Sequence, residues 1–118
     1  MYMSYKQTTT LNERKLKSFS MKQQYPDRIP VIVEVSKKVK NPNLKLDKIK
    51  YLIPLDITLG QLSGILRKRL KVDATKALFF FINNKNFPIT TILSSIYESE
   101  KDEDDFLYVE IAEESTFG

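Results

Sequence analysis

At 118 residues, with 42% apolar and 29% charged side chains, the chain has the make-up of one folded domain with a modest core. It contains no cysteine and no histidine, which removes disulfides, thiol nucleophiles, Ser-His-Asp triads and Cys/His zinc sites together. The net charge of +4 is segregated: residues 1–28 carry six basic and two acidic side chains, residues 36–51 six and one, and residues 98–118 one and nine. No run approaches the ~18 apolar residues of a membrane-spanning helix, and MYMSYKQTTTLNERK lacks the apolar stretch of a signal peptide.

Thr10-Leu11-Asn12-Glu13 has the form of a capping box and predicts a helix from Leu11 to about Gln24, with Leu11, Leu16 and Phe19 as its apolar stripe. Tyr25-Pro26 stops it, because the residue before a proline disfavours helical backbone. Ile29 to Val35 alternates as a strand, with Ile29, Val31, Val33 and Val35 on one face and Ile32 and Glu34 on the other. A long lysine-rich polar connection, SKKVKNPNLKLDK, leads to a second strand at Lys50 to Leu55, where Pro54 argues for an edge position or a strand end. Thr58-Leu59-Gly60-Gln61 opens another helix to about Leu70. Leu59, Leu62, Leu66 and Leu70 line one side of it, and basic residues crowd its C-terminal end, where the helix dipole favours them. Asp73 suggests a short turn. The apolar run Leu78 to Ile82 predicts a central strand buried on both faces. Asn83-Asn84 turns the chain, Thr91 caps a short helix carrying Ile92, Leu93, Ile96 and Tyr97, and Phe106 to Ile111 is the last strand.

Two strands, a helix, a strand, a short helix and a final strand follow the order of an α+β, ubiquitin-like β-grasp fold: a four-stranded mixed sheet packed on helices, here with an added N-terminal helical extension. No nucleophile–base constellation suggests an enzyme. The acidic run ESEKDEDD lacks the Asp/Asn-Gly spacing of a calcium loop, and the scattered lysines come without a nucleic-acid-binding signature. No cofactor is expected.

YPDRIPVIVE at 25–34, KYLIPLDITLGQL at 50–62, ILRKRL at 65–70, KALFFFINN at 76–84, ILSSIYESEKDEDD at 92–105 and FLYVEIAEESTFG at 106–118 resemble the autophagy ubiquitin-like modifiers. Of that family's branches, YPDRIPVIVE is more similar to the GABARAP type. The resemblance implies three parts: a helical extension at residues 1–28 packed on the core, a β-grasp domain at 29–112 and a flexible conjugation tail at 113–118. It also implies a chemistry for the terminal glycine, which lacks a Cβ and can enter a narrow enzyme channel. Gly118 would be adenylated by an activating enzyme, carried as a thioester on the cysteines of partner enzymes, and joined to the amine of phosphatidylethanolamine. Thr116 and Phe117 would help those enzymes read the tail, and a deconjugating cysteine protease would reverse the reaction. The implied protein is a monomer found in the cytoplasm and, once lipidated, on autophagosomal or vesicle membranes.

The resemblance further implies a surface for aromatic-x-x-aliphatic motifs of cargo receptors, bound as an added strand beside the sheet edge. Its aromatic pocket would use Met21, Pro30, Ile32, Lys50, Leu52 and Phe106. Its aliphatic pocket would use Tyr51, Ile53, Pro54, Ile57, Leu62 and Ile65, with Arg28, Lys48 and Arg69 meeting acidic residues of the ligand. Periodicity by itself places Ile32, Leu52, Ile53 and Leu62 in the core. Lys17 stands where relatives often carry a glutamate, which favours more acidic ligands. The alternative is a β-grasp trafficking or cytoskeletal adaptor that uses the same groove without being conjugated.

Overall fold

The computed structural model describes residues 3–72 and 76–113. Along the chain come α1 (Tyr5–Thr8), α2 (Leu11–Gln24), β1 (Arg28–Val35), β2 (Lys50–Pro54), α3 (Leu59–Leu70), β3 (Leu78–Phe81), α4 (Leu93–Glu100) and β4 (Leu107–Glu113). The strands form one sheet in the order β2-β1-β4-β3. Its central pair, β1 and β4, runs parallel, and each outer strand joins antiparallel. This is the α+β ubiquitin-like β-grasp architecture with an N-terminal helical extension.

Each face of the sheet has its own core. Ile29, Val31 and Val33 point toward α3 and α4, where they meet Leu62, Leu66, Leu93 and Ile96 in the larger cluster. Ile32 points the other way, into a smaller cluster with Tyr5, Met21 and Phe106. That second face would be open to water in a bare sheet. Here α1 and α2 cover it, and Ile32 and Phe106 have no exposed surface at all. Full burial of side chains this size is worth about 1.5–3 kcal/mol each, so the extension is integral to the domain's stability.

Local signals act as expected in several places. Thr10 accepts from the Glu13 N–H (3.1 Å) while Glu13 accepts from the Thr10 N–H (3.2 Å), and Thr58 and Gln61 repeat the exchange at the start of α3. Ser4 and Gln7 form a third such box on α1, a one-turn helix that the sequence reading did not anticipate. Leu59, Leu62, Leu66 and Leu70 are the buried stripe of α3, and Lys71 ends it in the left-handed conformation with φ 56°. Asn83 and Asn84 both have positive φ (51° and 62°), and Ile82 and Lys85 exchange backbone hydrogen bonds across them, giving a tight hairpin turn.

Four expectations need correction. On α2, Leu16 and Phe19 are 71% and 62% exposed, and the buried residues are Arg14, Ser18 and Met21. The helix docks through polar partners of the acidic loop, which outweigh a weak apolar stripe. The run at β3 is an edge strand. Leu78 and the following Ile82 are buried, whereas Phe79, Phe80 and Phe81 are half-buried, because β4 occupies the central position. Thr91 does not cap α4. Ile92 holds the cap position without a side-chain bond, and carbonyls of the β2–α3 link accept from the first helical N–H groups: Ile57 from Leu93 (2.8 Å) and Leu55 from Ser94 (3.1 Å). Finally, the 36–49 connection is not wholly solvated, since Leu44 is buried in the main core with Val39 and Leu46 packed against it. Asp73 lies outside the described residues.

Candidate functional site

The open edge of β2 is the starting point. The Val33 N–H donates to the Ile49 carbonyl (2.8 Å), and β1 and β2 pair Val31 with Tyr51 and Ile29 with Ile53. In an antiparallel ladder these alternate residues exchange hydrogen bonds. The N–H and C=O groups of Lys50 and Leu52 therefore point outward, to the side without a strand. Pro54 belongs to the same outward set, where its missing N–H costs no ladder bond. Pro30 occupies the equivalent position on β1, one residue before parallel pairing with β4 begins at Val31.

Beside this edge, between β2 and α2, opens a groove of about 400 Å³ lined by Lys17, Met21, Gln24, Tyr25, Arg28, Lys48, Lys50 and Leu52. Four of these residues are cationic and none is acidic, so the groove suits a ligand that brings carboxylates. Met21 and Leu52 supply apolar wall. The remaining residues expected at the aromatic pocket, Pro30, Ile32 and Phe106, are buried and lie beneath it as part of the sheet and the smaller core. Aromatic rings steady the cations: Arg28 stacks 5.0 Å from the Tyr25 ring centre, Lys48 lies 5.2 Å from Tyr51, and Lys50 lies 5.4 Å from Tyr5. Tyr5, Gln24 and Tyr25 were not singled out from the sequence. Tyr25 was legible only as a helix stop, and nothing local marks Tyr5 as a residue that packs edge-on against Phe106 (5.7 Å).

The residues expected at the aliphatic pocket divide differently. Tyr51, Ile53 and Leu62 face α3 and belong to the main core. Burial raises the Tyr51 hydroxyl pKa, and its O–H donates to the Lys48 carbonyl (2.7 Å). Pro54 and Ile65 are exposed and Ile57 is half-buried, so these three form the accessible part of the set. Arg69 carries an ion pair with Asp47 (3.1 Å), and the hydrogen bond to that carboxylate raises its pKa. Both partners are well exposed, and such a pair exchanges for a ligand carboxylate at little cost.

A buried polar network holds α2, and with it Lys17 and Met21, against the sheet. The Asp104 side chain is fully buried and accepts from Arg14 Nε (2.8 Å), the Phe106 N–H (2.8 Å) and the Tyr108 hydroxyl. The Ser18 hydroxyl donates to the Asp104 carbonyl (2.6 Å), and Arg14 also reaches the Thr9 carbonyl (2.9 Å). Burial, and then the hydrogen bond to Asp104, push the Tyr108 pKa far above its ordinary value. At the rim, Tyr5 N–H donates to Glu34 (2.7 Å) and Lys6 pairs with Asp102. Thr116, Phe117 and Gly118 lie outside the described residues, and β4 delivers the chain to them at Glu113.

The profile described as "Autophagy protein Atg8 ubiquitin like" matches residues 13–118. The chain belongs to the Atg8 family. Among similar Atg8 proteins, autophagy-related protein 8e of Arabidopsis thaliana is 46% identical over 114 residues, covering 97% of this chain and 92% of that protein. Autophagy-related protein 8A of Oryza sativa subsp. japonica is 44% identical over 115 residues, covering 98% and 95%. The crystal structure of Trypanosoma brucei ATG8 superposes with a TM-score of 0.90 at 36% identity, over the whole of both chains. Atg8 membership makes this chain a ubiquitin-like modifier rather than a catalyst, with a place in autophagy and its vesicles, and it supports lipid conjugation and cargo-adaptor binding in general terms.

Proposed function

We propose that this chain is conjugated through Gly118 to phosphatidylethanolamine on autophagosomal membranes, and that it binds aromatic-x-x-aliphatic motifs of cargo receptors and autophagy factors along the open edge of β2. In this reading residues 1–28 are the packed extension, 29–112 the β-grasp domain and 113–118 the conjugation tail. Thr116 and Phe117 present the tail to activating and transfer enzymes, and a deconjugating cysteine protease releases it. The protein is a monomer that moves from cytoplasm to autophagosomal or vesicle membranes on lipidation, and its sequence stands nearer the GABARAP-type branch.

The observation that carries the binding half is the pairing of outward backbone groups at Lys50 and Leu52 with an adjacent cationic groove. A peptide strand satisfies those groups while its aromatic anchor enters against Met21 and Leu52. Its aliphatic anchor reaches Pro54, Ile57 and Ile65, set over Tyr51, Ile53 and Leu62. Flanking carboxylates meet Arg28, Lys48 and Lys50, with Arg69 exchanging its Asp47 partner. Lys17 adds a cation that favours acidic flanks, and affinity for such peptides falls in Lys17→Glu.

The test is conjugation to phosphatidylethanolamine liposomes with activating and transfer enzymes and ATP. An ATP-dependent adduct that disappears in Gly118→Ala supports the modifier reading. Absence of an adduct, while another Atg8 protein reacts in the same mixture, favours an adaptor that uses the groove without conjugation.

A further inference from the structure

The parallel pairing of β1 and β4 brings the lysine-rich connection and the exit of the tail to one end of the molecule. Val35 is in register with Ile111, the Ser36 N–H donates to the Ile111 carbonyl (2.8 Å), and the Asn41 amide reaches Glu113 (3.4 Å). β3 starts at the same end, since Leu78 pairs with Glu113. The Arg69–Asp47 contact brings the last turn of α3 there as well. Lys38, Lys40 and Lys45 of the connection, Lys71 after α3 and Lys76 before β3 are all exposed on this end. Among the described residues the carboxylates here are fewer: Asp47 is engaged by Arg69 and Glu113 is contacted by Asn41, while in the sequence Asp73 stands between Lys71 and Lys76 and Glu114 follows in the tail. A cleft of about 380 Å³ at this end is lined by Lys37 and Lys45 together with Val35, Val39, Pro42 and Leu44.

The acidic loop at residues 98–105 lies at the opposite end, where β4 begins. The seven residues of β4 at ~3.3 Å per step carry the chain about 20 Å from the acidic loop to the basic end, about two Debye lengths at 0.1 M salt. The basic end therefore acts independently of the acidic one. From Glu113 the five remaining residues span at most about 17 Å, which keeps anything attached to Gly118 close to these lysines.

We propose that this end is a docking face for anionic lipid bilayers, in which Lys38, Lys40, Lys45, Lys71 and Lys76 add an electrostatic contact to the tail anchor and orient the domain with the β2 groove at its side. The proposal rests on the reading that the tail is membrane-anchored at Gly118. The two acyl chains of a phosphatidylethanolamine anchor already hold a protein stably, so the lysines' part is to set its orientation. A single acyl chain holds only marginally, which makes it the sensitive probe of the lysine contact, each lysine at an anionic surface strengthening binding about fivefold.

The experiment supplies the anchor chemically, so its outcome is independent of enzymatic conjugation. The chain has no cysteine, and Gly118→Cys accepts one tetradecyl maleimide at a single position. Partition is measured on vesicles of phosphatidylcholine and of phosphatidylcholine with about 30% phosphatidylserine, whose anionic headgroups give a negative surface potential. The expected result is at least tenfold tighter partition on the anionic vesicles, abolished by high salt and by the combined Gln substitution of the five lysines. Lys85→Gln at the opposite end should leave it unchanged. Circular dichroism and motif-peptide binding check that the five-lysine variant is folded. Equal partition on both vesicles, or undiminished preference in the folded variant, overturns the proposal. Loss of conjugation in the enzymatic assay with preference retained here would instead overturn only the anchoring reading.

Discussion

Replacing Asp104 with alanine should loosen the N-terminal helices and with them one wall of the groove. The carboxylate is fully buried and accepts from Arg14 Nε, the Phe106 N–H and the Tyr108 hydroxyl. Arg14 is itself buried, so alanine at 104 leaves a guanidinium without its counter-ion. Breaking one partner from a buried pair costs about 3–5 kcal/mol, against about 5–15 kcal/mol for a whole domain. For a chain of this size that corresponds to a melting temperature lower by roughly 10–20 °C. Urea denaturation gives the magnitude, and hydrogen exchange on α2 gives the location. Motif-peptide affinity should fall too, because Met21 and Lys17 sit on the loosened helix. The double variant Arg14→Met/Asp104→Leu should recover the part due to the unpaired guanidinium, while the Phe106 N–H and Tyr108 hydroxyl stay without their acceptor. A loss under ~1 kcal/mol in Asp104→Ala, or a double variant as unstable as the two singles summed, would refute the buried-pair account.

The groove's charge predicts that Lys48→Glu/Lys50→Glu weakens acidic-flanked motif peptides at least about tenfold, mainly through slower association that responds to salt; isothermal and stopped-flow titration check this. Glycine offers a paired test on α3. A Cβ at Gly64 meets nothing within 4 Å, so Gly64→Ala should stabilise by about 0.5–1 kcal/mol, whereas a Cβ at Gly60 lies 3.2 Å from the Ile89 carbonyl oxygen and the same change there should gain less or lose, as thermal melts will reveal. The Asp102 carboxyl is partly buried, which opposes its ionisation, but the Lys6 hydrogen bond, the Asp104 N–H and the charges of Lys6 and Arg14 together outweigh this and hold its pKa below the usual value. A depressed carboxylate contributes stability above its unfolded pKa and loses it as pH falls through the folded one. Stability should therefore decline below about pH 4, and Lys6→Gln should flatten that decline in urea melts across pH. In the alkaline range, burial pushes Tyr97 up to about 12, so stability should fall between about pH 10 and 12, a dependence that Tyr97→Phe reduces while the raised Tyr5, Tyr51 and Tyr108 retain the rest.

The legible parts of the candidate site were those written in a few adjacent residues. Pro54 marked β2 as an edge position or a strand end, and the family resemblance set Lys50 and Leu52 at the groove, although periodicity by itself placed Leu52 in the core. What alternation does not reveal is depth. Tyr51, Ile53 and Leu62 lie in the main core, and Ile32 and Phe106 lie beneath the groove, because burial depends on what covers a residue. Tyr5 and Tyr25 escaped notice for the same reason: each acquires its role by meeting a cation or ring brought from another element.

By itself the sequence determined the element order from α2 onward, two of the capping boxes, the leucine stripe of α3 and the Asn83-Asn84 turn, all of which depend on contacts within a few residues. Tertiary structure alone decided which face of α2 turns inward, because the partner of Arg14 is Asp104, ninety positions away. It made the aromatic run of β3 an edge, since strand order depends on β4 pairing in parallel with β1. It capped α4 with carbonyls at Leu55 and Ile57 in place of Thr91. It also gathered the lysines of three separate segments at the end where the tail departs. Local chemistry sets what each segment forms, whereas burial, pairing and shared charge depend on which distant segments the fold brings together.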